Sequence, residues 1–388
     1  MKRVRSCSLT ATLFVLLAGN ALSAQSAAAP APSPFSGLIF GSYNYQVPTT
    51  PAALPGRTDN QFVLDRAYLT FRMPAGDKLS VRITTDVYQS TESAANAYTI
   101  RAKYAYLQYD QSKFLNGAQF LARLGILQNV VIEHVETFWP RYISQSPVER
   151  AGYFASADVG LASQVTLPHK LGEVYATIVN GPGFTTRERD RFKDYAIRLS
   201  LTPLANQADM PLLQTFTVSA WGYKGATSSS FVATGVGEAL DRSRAGVLVG
   251  IKDPRLTIAG EFAERHEDGE QGATAAMRNK TAITGRLLSG YGSIRPFAFM
   301  NGSGKSPFGL LARYDAVTPA SSTSGFVTPA APLTDNAYHV FIGGLFYDLN
   351  QKAQFALDYQ EALNSGNSLG VAPPTQSKTY YAHFMVNF

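Results

Sequence analysis

Apolar and polar residues alternate in short segments along most of the chain after about residue 37. The alternation is regular in RAYLTFRM (66–73), LSVRITTDVY (79–88), YAIRLSL (195–201), RLTIAGEFAER (255–265) and AQFALDYQ (353–360). In each segment one row of alternate positions is apolar or aromatic, and the other row carries the charged residues. Successive side chains of a β-strand point to opposite faces, so the pattern predicts strands with two different faces.

Short and long connections between these segments alternate. The short ones, rich in Gly, Pro, Asn or Asp, are 74–78, 115–118, 168–173, 252–255 and 348–352. The long polar ones are 47–60, 90–98, 128–154, 181–191, 225–242, 267–278, 318–335 and 364–377. Alternating short turns and long loops are typical of a transmembrane antiparallel β-barrel, and eight long loops predict about 16 strands.

One stretch complicates the strand count. The residues between Thr281 and Val317 have room for three strands, but bacterial single-chain barrels keep an even number. We therefore interpret SGYGSIRPFAFMNGSGKSPFG as containing a long, irregular turn, with 18 strands as the alternative count. Because a soluble β-sandwich also alternates, a secreted soluble binding protein is a second fold hypothesis.

The N-terminus has the features of a secretory signal peptide. Lys2, Arg3 and Arg5 precede an apolar run, and the small-residue segment that follows predicts cleavage near Ala24. The expected organisation is a signal peptide at 1–24, a short periplasmic segment at 25–36 and a barrel at 37–388. The only cysteine, Cys7, would leave with the signal peptide, so no disulfide is expected.

Composition narrows the class of protein further. Loss of the signal peptide halves the net charge of +6, which argues against a nucleic-acid binder. No later segment offers about 18 continuous apolar residues, so a helical membrane protein is not expected. Aromatic residues make up 12% of the chain, and those near strand ends are predicted to form interfacial girdles: Tyr43, Tyr45, Tyr109, Tyr347 and Tyr380.

The C-terminal segment KTYYAHFMVNF resembles the terminal signal of bacterial outer-membrane β-barrels. Its apolar row includes Tyr380, Phe384, Val386 and Phe388. The resemblance implies that the barrel-assembly machinery recognises this strand, which then pairs with the first strand, GLIFGSYNYQ from Gly37.

Several internal segments resemble the phosphate-selective porin O/P family: DRAYLTFRM, VYATIVNGPGF, KDYAIRLSLTPL, LLARYDAVTP and GGLFYDLNQKAQFALDYQ. The resemblance extends over most of the chain after the signal peptide. It implies a 16-stranded porin, usually a homotrimer, in a Gram-negative outer membrane, with phosphate among the solutes that some members carry.

The polar rows of the strands predict a charged pore wall. Basic residues assigned to the lumen are Arg66, Arg72, Arg82, Arg101, Lys103, Arg123, Arg198, Arg244, Lys252, Arg265, Arg286 and Arg313. Acidic residues on the same face are Asp86, Asp194, Glu261 and Asp358. Rings of arginine favour anions, so the excess of cations predicts a mild anion preference. The alternative for each arginine is an interior salt bridge that stiffens the wall.

The connection from Asn129 to Arg150 is apolar enough to pack inside a barrel. In general porins the third external loop narrows the pore, and this segment is predicted to do the same. Its charged residues are then expected at the constriction: Glu133, His134, Glu136, Arg141, Glu149 and Arg150. The segment has no lysine and its charges balance, which departs from a strongly cationic phosphate filter. The alternative is an external loop that makes trimer or latch contacts.

Enzyme motifs are not found. EHVE at 133–136 lacks the second histidine of a zinc-protease helix, and the five histidines have no metal-ligand spacing. The chain contains no phosphate-binding loop and no nucleophile elbow. The sequence therefore predicts a passive porin without cofactor, metal or catalytic residues, whose partners are outer-membrane lipid and small hydrophilic solutes, anions among them. An outer-membrane barrel enzyme is the remaining alternative.

Overall fold

The structure is a computed structural model of the full chain. It describes residues 34–47, 60–89, 97–188, 190–228, 239–271, 279–300, 304–318, 337–364 and 377–388. The predicted signal peptide at 1–24 and nearly all of the segment at 25–36 lie outside these residues. So do all or most of the predicted long loops at 47–60, 90–98, 225–242, 267–278, 318–335 and 364–377.

Sixteen antiparallel strands form one closed barrel, in which each strand pairs with its neighbours in sequence and the last pairs with the first. The strands are β1 Phe35–Gln46, β2 Asn60–Pro74, β3 Leu79–Gln89, β4 Tyr98–Gln111, β5 Gln119–Gln128, β6 Ala157–Thr166, β7 Gly172–Val179, β8 Asp194–Leu201, β9 Thr217–Ser228, β10 Ala239–Lys252, β11 Leu256–Gln271, β12 Asn279–Ile294, β13 Phe308–Thr318, β14 Tyr338–Asp348, β15 Ala353–Asn364 and β16 Ser377–Asn387. The predicted fold class and the count of 16 strands are confirmed. The described residues between Ile294 and Phe308 contain a short helix at Pro296–Met300 and no strand, as expected for an irregular turn.

The barrel closes at the two ends of the described chain. Leu38 of β1 lies opposite Asn387 of β16, and this register continues to Gln46 and Thr379. Beyond it, the Gly37 N–H donates to the Phe388 carbonyl and the Phe388 N–H donates to the Gly37 carbonyl, each at 3.0 Å. Closure leaves no open sheet edge, which is the condition for a sheet to cross a lipid bilayer.

The outer face of the barrel is apolar. Ile100, Leu124 and Leu288 are 68%, 62% and 60% exposed, in outward rows that continue on every side of the barrel. In water such a surface would be very unfavourable, whereas in a bilayer it contacts acyl chains. Among the residues that the structure describes, none of the helices is long and apolar enough to cross a bilayer.

The inner face is divided into two parts, which the sequence did not predict. On β10 to β14 it carries apolar side chains that are at most 4% exposed: Leu248, Leu287, Leu311, Val340 and Ile342. On β2 to β5 it carries charged and tyrosine side chains. The loop that enters the barrel covers these apolar side chains, and charged residues lie among them on the same strands: Glu261, Arg265, Arg313 and Asp315.

Two β-bulges alter the alternation on the polar part. The register passes from Phe40–Arg66 to Gly41–Leu64, which leaves Asp65 as an extra residue on β2. It passes from Thr84–Tyr104 to Thr85–Ala102, which leaves Lys103 as an extra residue on β4. A bulge re-aims side chains locally, and here each one adds a charged residue to the wall.

Candidate pore constriction

The chain between β5 and β6 folds into the barrel. It begins at Asn129, whose side-chain oxygen accepts hydrogen bonds from the Val131 and Ile132 N–H groups at 2.9 and 3.1 Å. These bonds start a single helical turn at Ile132–Val135, and a second turn follows at Pro147–Arg150. We call residues 129–156 the inner loop.

Apolar burial holds the inner loop inside. Its apolar side chains that are at most 1% exposed include Val130, Val131, Val135, Trp139 and Val148. Full burial of a side chain of this size stabilises by about 1.5–3 kcal/mol. The loop therefore lies against the apolar part of the inner wall. The alternative, an external loop, is not observed.

Polar contacts attach the inner loop to distant strands. The His134 Nε2 lies 2.8 Å from the Ser219 hydroxyl on β9, and the Arg198 Nε of β8 donates to the Val130 carbonyl at 2.7 Å. Burial, reinforced by Arg198 and Lys252, lowers the pKa of His134 to about 3. The ring is therefore neutral at ordinary pH and acts as a structural contact rather than as a charge.

Contacts within and beside the inner loop offset part of the negative charge of its acidic side chains. Arg141 forms an ion pair with Glu136 and a two-point pair with Glu149, whose oxygens lie 2.6 and 2.8 Å from the guanidinium. Burial opposes the charge on Arg141, but the two carboxylates hold its pKa well above the ordinary value. Glu133 accepts a hydrogen bond from the Gln128 amide at 2.6 Å, and burial raises its pKa.

The wall formed by β2 to β5 carries cations without acidic partners. Arg72 and Arg82 are directly opposite each other on β2 and β3. Among the described residues, no carboxylate lies within 4.0 Å of Arg72, Arg82, Lys103 or Arg123. Like charges directly opposite each other destabilise a sheet, so this arrangement has a structural cost and points to a function. We call the three arginines Arg72, Arg82 and Arg123 the basic wall; Lys103, beside them, is only 4% exposed.

Hydroxyl, amide and aromatic groups hold the basic wall and Lys103 in place of carboxylates. Lys103 donates to the Tyr68 hydroxyl at 2.8 Å, and the Arg82 guanidinium lies 4.8 Å from the Tyr104 ring centre. Arg123 donates to Gln108 at 2.8 Å and to the Tyr175 hydroxyl at 3.3 Å. Such partners orient Arg82 and Arg123 and leave the positive charge of these two guanidinium groups in place.

Most other predicted lumen arginines are neutralised. Asp86 binds both Arg66 and Arg101, at 3.7 and 2.9 Å. Further inward arginines also have carboxylate partners: Arg198–Glu173, Arg242–Asp194, Arg244–Glu267 and Arg313–Asp315. Arg265 contacts the loop through the Gly152 carbonyl at 3.4 Å, while Lys252 lies beside His134 at the short-turn end.

Burial, with Arg313 nearby, lowers the pKa of Arg150.

Arg286 corrects the sequence prediction. It was assigned to the lumen, but its side chain is 71% exposed on the outer face, where it pairs with Glu264 at 3.0 Å. Its neighbour Leu287 is fully buried on the inner face. Because residues 287 and 288 are both leucine, the alternation of apolar and polar residues does not show which of them faces inward in this strand. The leucine that faces inward packs on the apolar part of the wall.

Three groups of inward residues were not predicted from sequence. Asp65 occupies a bulge, which alternation does not reveal. Arg242 lies in an expected inner row but was not singled out, and the tyrosines that contact the wall cations were not predicted. A cavity of about 670 Å³ opens on the long-loop side of the inner loop, and its lining includes Asp65, Arg66, Gln89, Arg141, Gln360 and Tyr381. In the described part of the chain, no cluster of His, Cys, Asp and Glu is arranged to hold a metal.

Comparisons with known proteins support the fold. No family model matches the chain, and no curated protein matches it. Solved structures do: OmpT, an outer-membrane protein of Vibrio cholerae, in its trimer form, has a TM-score of 0.58 at 12% identity, with 91% of this chain and 98% of that chain covered. The outer-membrane channel DcaP of Acinetobacter baumannii has a TM-score of 0.58 at 12% identity, with 91% and 96% covered. An anion-selective porin from Comamonas acidovorans has 0.58 at 10% identity, with 91% and 98% covered.

At these identities the likeness concerns the fold. The chain has the fold of 16-stranded outer-membrane barrels, porins among them. Together with the apolar outer face, this fold places the chain in the outer membrane of a Gram-negative bacterium. The resemblance to phosphate-selective porins in particular stays a prediction.

Proposed function

We propose that the protein is a passive porin that lets small hydrophilic solutes diffuse across the outer membrane, with a preference for anions. The observation that carries the proposal is the basic wall: three arginines of the inner face have no carboxylate within 4.0 Å among the described residues. The proposal includes no catalytic step and no cofactor.

The charges around the inner loop favour anions. Arg141 pairs with both Glu136 and Glu149, so one guanidinium offsets one of the two carboxylate charges. Desolvation by the surrounding protein raises the pKa of Glu133. The basic wall is held by phenol, hydroxyl and amide groups, which leave its charge uncompensated. A narrow passage lined by one sign of charge concentrates the oppositely charged solute.

Two similarities add to the proposal as analogies. One of the solved structures with this fold is described as an anion-selective porin, and another as a trimer form. By the second analogy, we extend the proposal to a homotrimer. We also propose that its solutes include phosphate, because a guanidinium presents paired N–H groups that match phosphate oxygens.

Liposome swelling with solutes of matched size tests the proposal. Vesicles containing the purified protein are diluted into gluconate, mannitol or a cationic amino sugar. Gluconate should enter faster than mannitol, and the cation should be slowest. Swelling no faster than in protein-free vesicles, or fastest for the cation, would refute the proposal.

A further inference from the structure

Arg313 lies between the barrel wall and the tip of the inner loop. Its side chain is 0% exposed, so it does not line the passage as a free cation. On the wall side, its Nε and Nη2 donate to Asp315 at 2.9 and 2.6 Å, and Ser289 donates to the same carboxylate at 2.5 Å. A charge with this degree of burial is retained only where it is fully paired.

The other edge of the same guanidinium binds the inner loop. Nη1 donates to the Gln145 carbonyl at 2.5 Å and to the Ser144 hydroxyl at 3.1 Å. The guanidinium carbon lies 5.4 Å from the Trp139 ring centre. One side chain thus joins a fixed wall carboxylate to a loop carbonyl, a loop hydroxyl and a loop aromatic ring.

We propose that Arg313 is a positioning residue for the pore: it fixes residues 139–145 of the inner loop against the wall and thereby sets the width of the passage. The inference rests on the proposed function, because it assigns this contact a role in permeation. Arg141 lies within the fixed segment, and its acidic partners Glu136 and Glu149 flank that segment. Release of that segment would move these charges relative to the basic wall.

The geometry requires arginine rather than any cation. A planar guanidinium binds acceptors on two edges and stacks on an aromatic face at the same time. An ammonium is a point charge and cannot make the same three kinds of contact. Arg313→Lys therefore keeps the charge and loses the link between wall and loop, whereas Arg313→Met loses both.

Single-channel recording in planar bilayers distinguishes an effect of the inner loop's position from an effect of the charge at residue 313. Arg313→Lys and Arg313→Met should both show a larger mean conductance and several-fold greater open-channel current noise than the wild type. Arg286→Met, an arginine of the outer face, is the matched control and should be unchanged. Wild-type conductance and noise in Arg313→Lys would overturn the proposal, because only charge would then matter.

Fluorescence of Trp139 gives a measurement that does not depend on transport. The chain has two tryptophans, so a Trp221→Phe background isolates Trp139. In detergent, adding Arg313→Met to this background should raise acrylamide quenching several-fold and shift the emission to longer wavelength. Arg313→Met with Asp315→Leu removes both charges, avoids an unpaired buried carboxylate, and should give the same change. Unchanged quenching in both variants would refute the proposal even if the barrel proves not to conduct.

Discussion

The phenyl ring of Phe388 lies over Gly37 on the strand next to it. A Cβ atom on Gly37 would be 2.1 Å from the Phe388 Cζ, so only glycine leaves room for the ring. The ring centre of Phe388 also lies 6.0 Å from that of Phe35. The chain therefore ends on an aromatic residue that covers a glycine at the seam of the barrel, where the first and last strands meet.

We predict that Gly37→Val weakens barrel closure. The added side chain would displace the Phe388 ring, and overpacking of this kind destabilises by about 1–3 kcal/mol. Gly290→Val, at an outward site with no atom within 4 Å of the added Cβ, is the matched control. The temperature at which the folded band disappears on a denaturing gel should fall for Gly37→Val and Phe388→Ala, with a smaller change for Gly290→Val. Equal temperatures for Gly37→Val and the wild type would contradict this role of the pair.

Neutralising the basic wall should reduce anion preference. Arg82→Gln and Arg123→Gln each remove a charge that has no carboxylate partner. We expect the anion-to-cation permeability ratio to fall roughly two- to five-fold for each, as the loss of about 0.4–1 kcal/mol of attraction implies. Arg286→Gln on the outer face serves as the control and should leave the ratio unchanged. The reversal potential under a salt gradient measures the ratio, and an equal effect of all three variants would argue against the assignment.

A change at Asp86 should have the opposite sign. This carboxylate is 1% exposed and binds both Arg66 and Arg101. Asp86→Asn leaves two arginines uncompensated, so anion preference should increase by about as much as one wall arginine contributes. Removing one partner of a buried pair is also destabilising, by about 3–5 kcal/mol, so folding is checked first by gel migration. A folded variant with reduced anion preference would contradict the predicted charge balance.

Selectivity should depend on pH through Glu133. Burial raises the pKa of this carboxyl, so it becomes neutral at a higher pH than an exposed glutamate does. As the pH falls from about 7 to about 4, the inner loop loses negative charge opposite the basic wall, and anion preference should rise. Glu133→Gln should have the higher preference throughout and a flatter profile.

His134 provides the control for that pH profile. Its pKa is lowered to about 3, so the ring stays neutral across the same range. His134→Gln should therefore reproduce the wild-type pH dependence. If His134→Gln abolished the dependence while Glu133→Gln preserved it, the titrating group would be the histidine.

The barrel itself was predictable from sequence. Strands between lipid and water have two different faces, and short turns alternate with long loops, so both the strand count and most inward positions follow from local pattern. Arg82 and Arg123 were assigned to the lumen in this way and lie there. The inward position of the inner loop was predicted from its apolar content, and its burial against β10 to β14 accounts for that content.

What the sequence could not provide depends on contacts between distant residues. Arg286 was placed on the wrong face because the adjacent leucines 287 and 288 hide the phase of β12. Asp65 was missed because a bulge inserts one extra residue into the strand, and the amino-acid composition of the strand does not reveal the insertion. Arg313 was assigned to the lumen, but its partners Ser144 and Gln145 are some 170 positions away along the chain. Whether an inward arginine is neutralised depends on which carboxylate the neighbouring strands bring beside it.

The proposal of an anion-preferring porin can be tested by the reversal potential of the wild-type protein in a planar bilayer, under a potassium chloride gradient at neutral pH. We predict stable conductance steps and a reversal potential displaced toward the equilibrium potential of chloride, because the basic wall is uncompensated. Displacement toward the equilibrium potential of potassium, or the absence of any conductance, would contradict it.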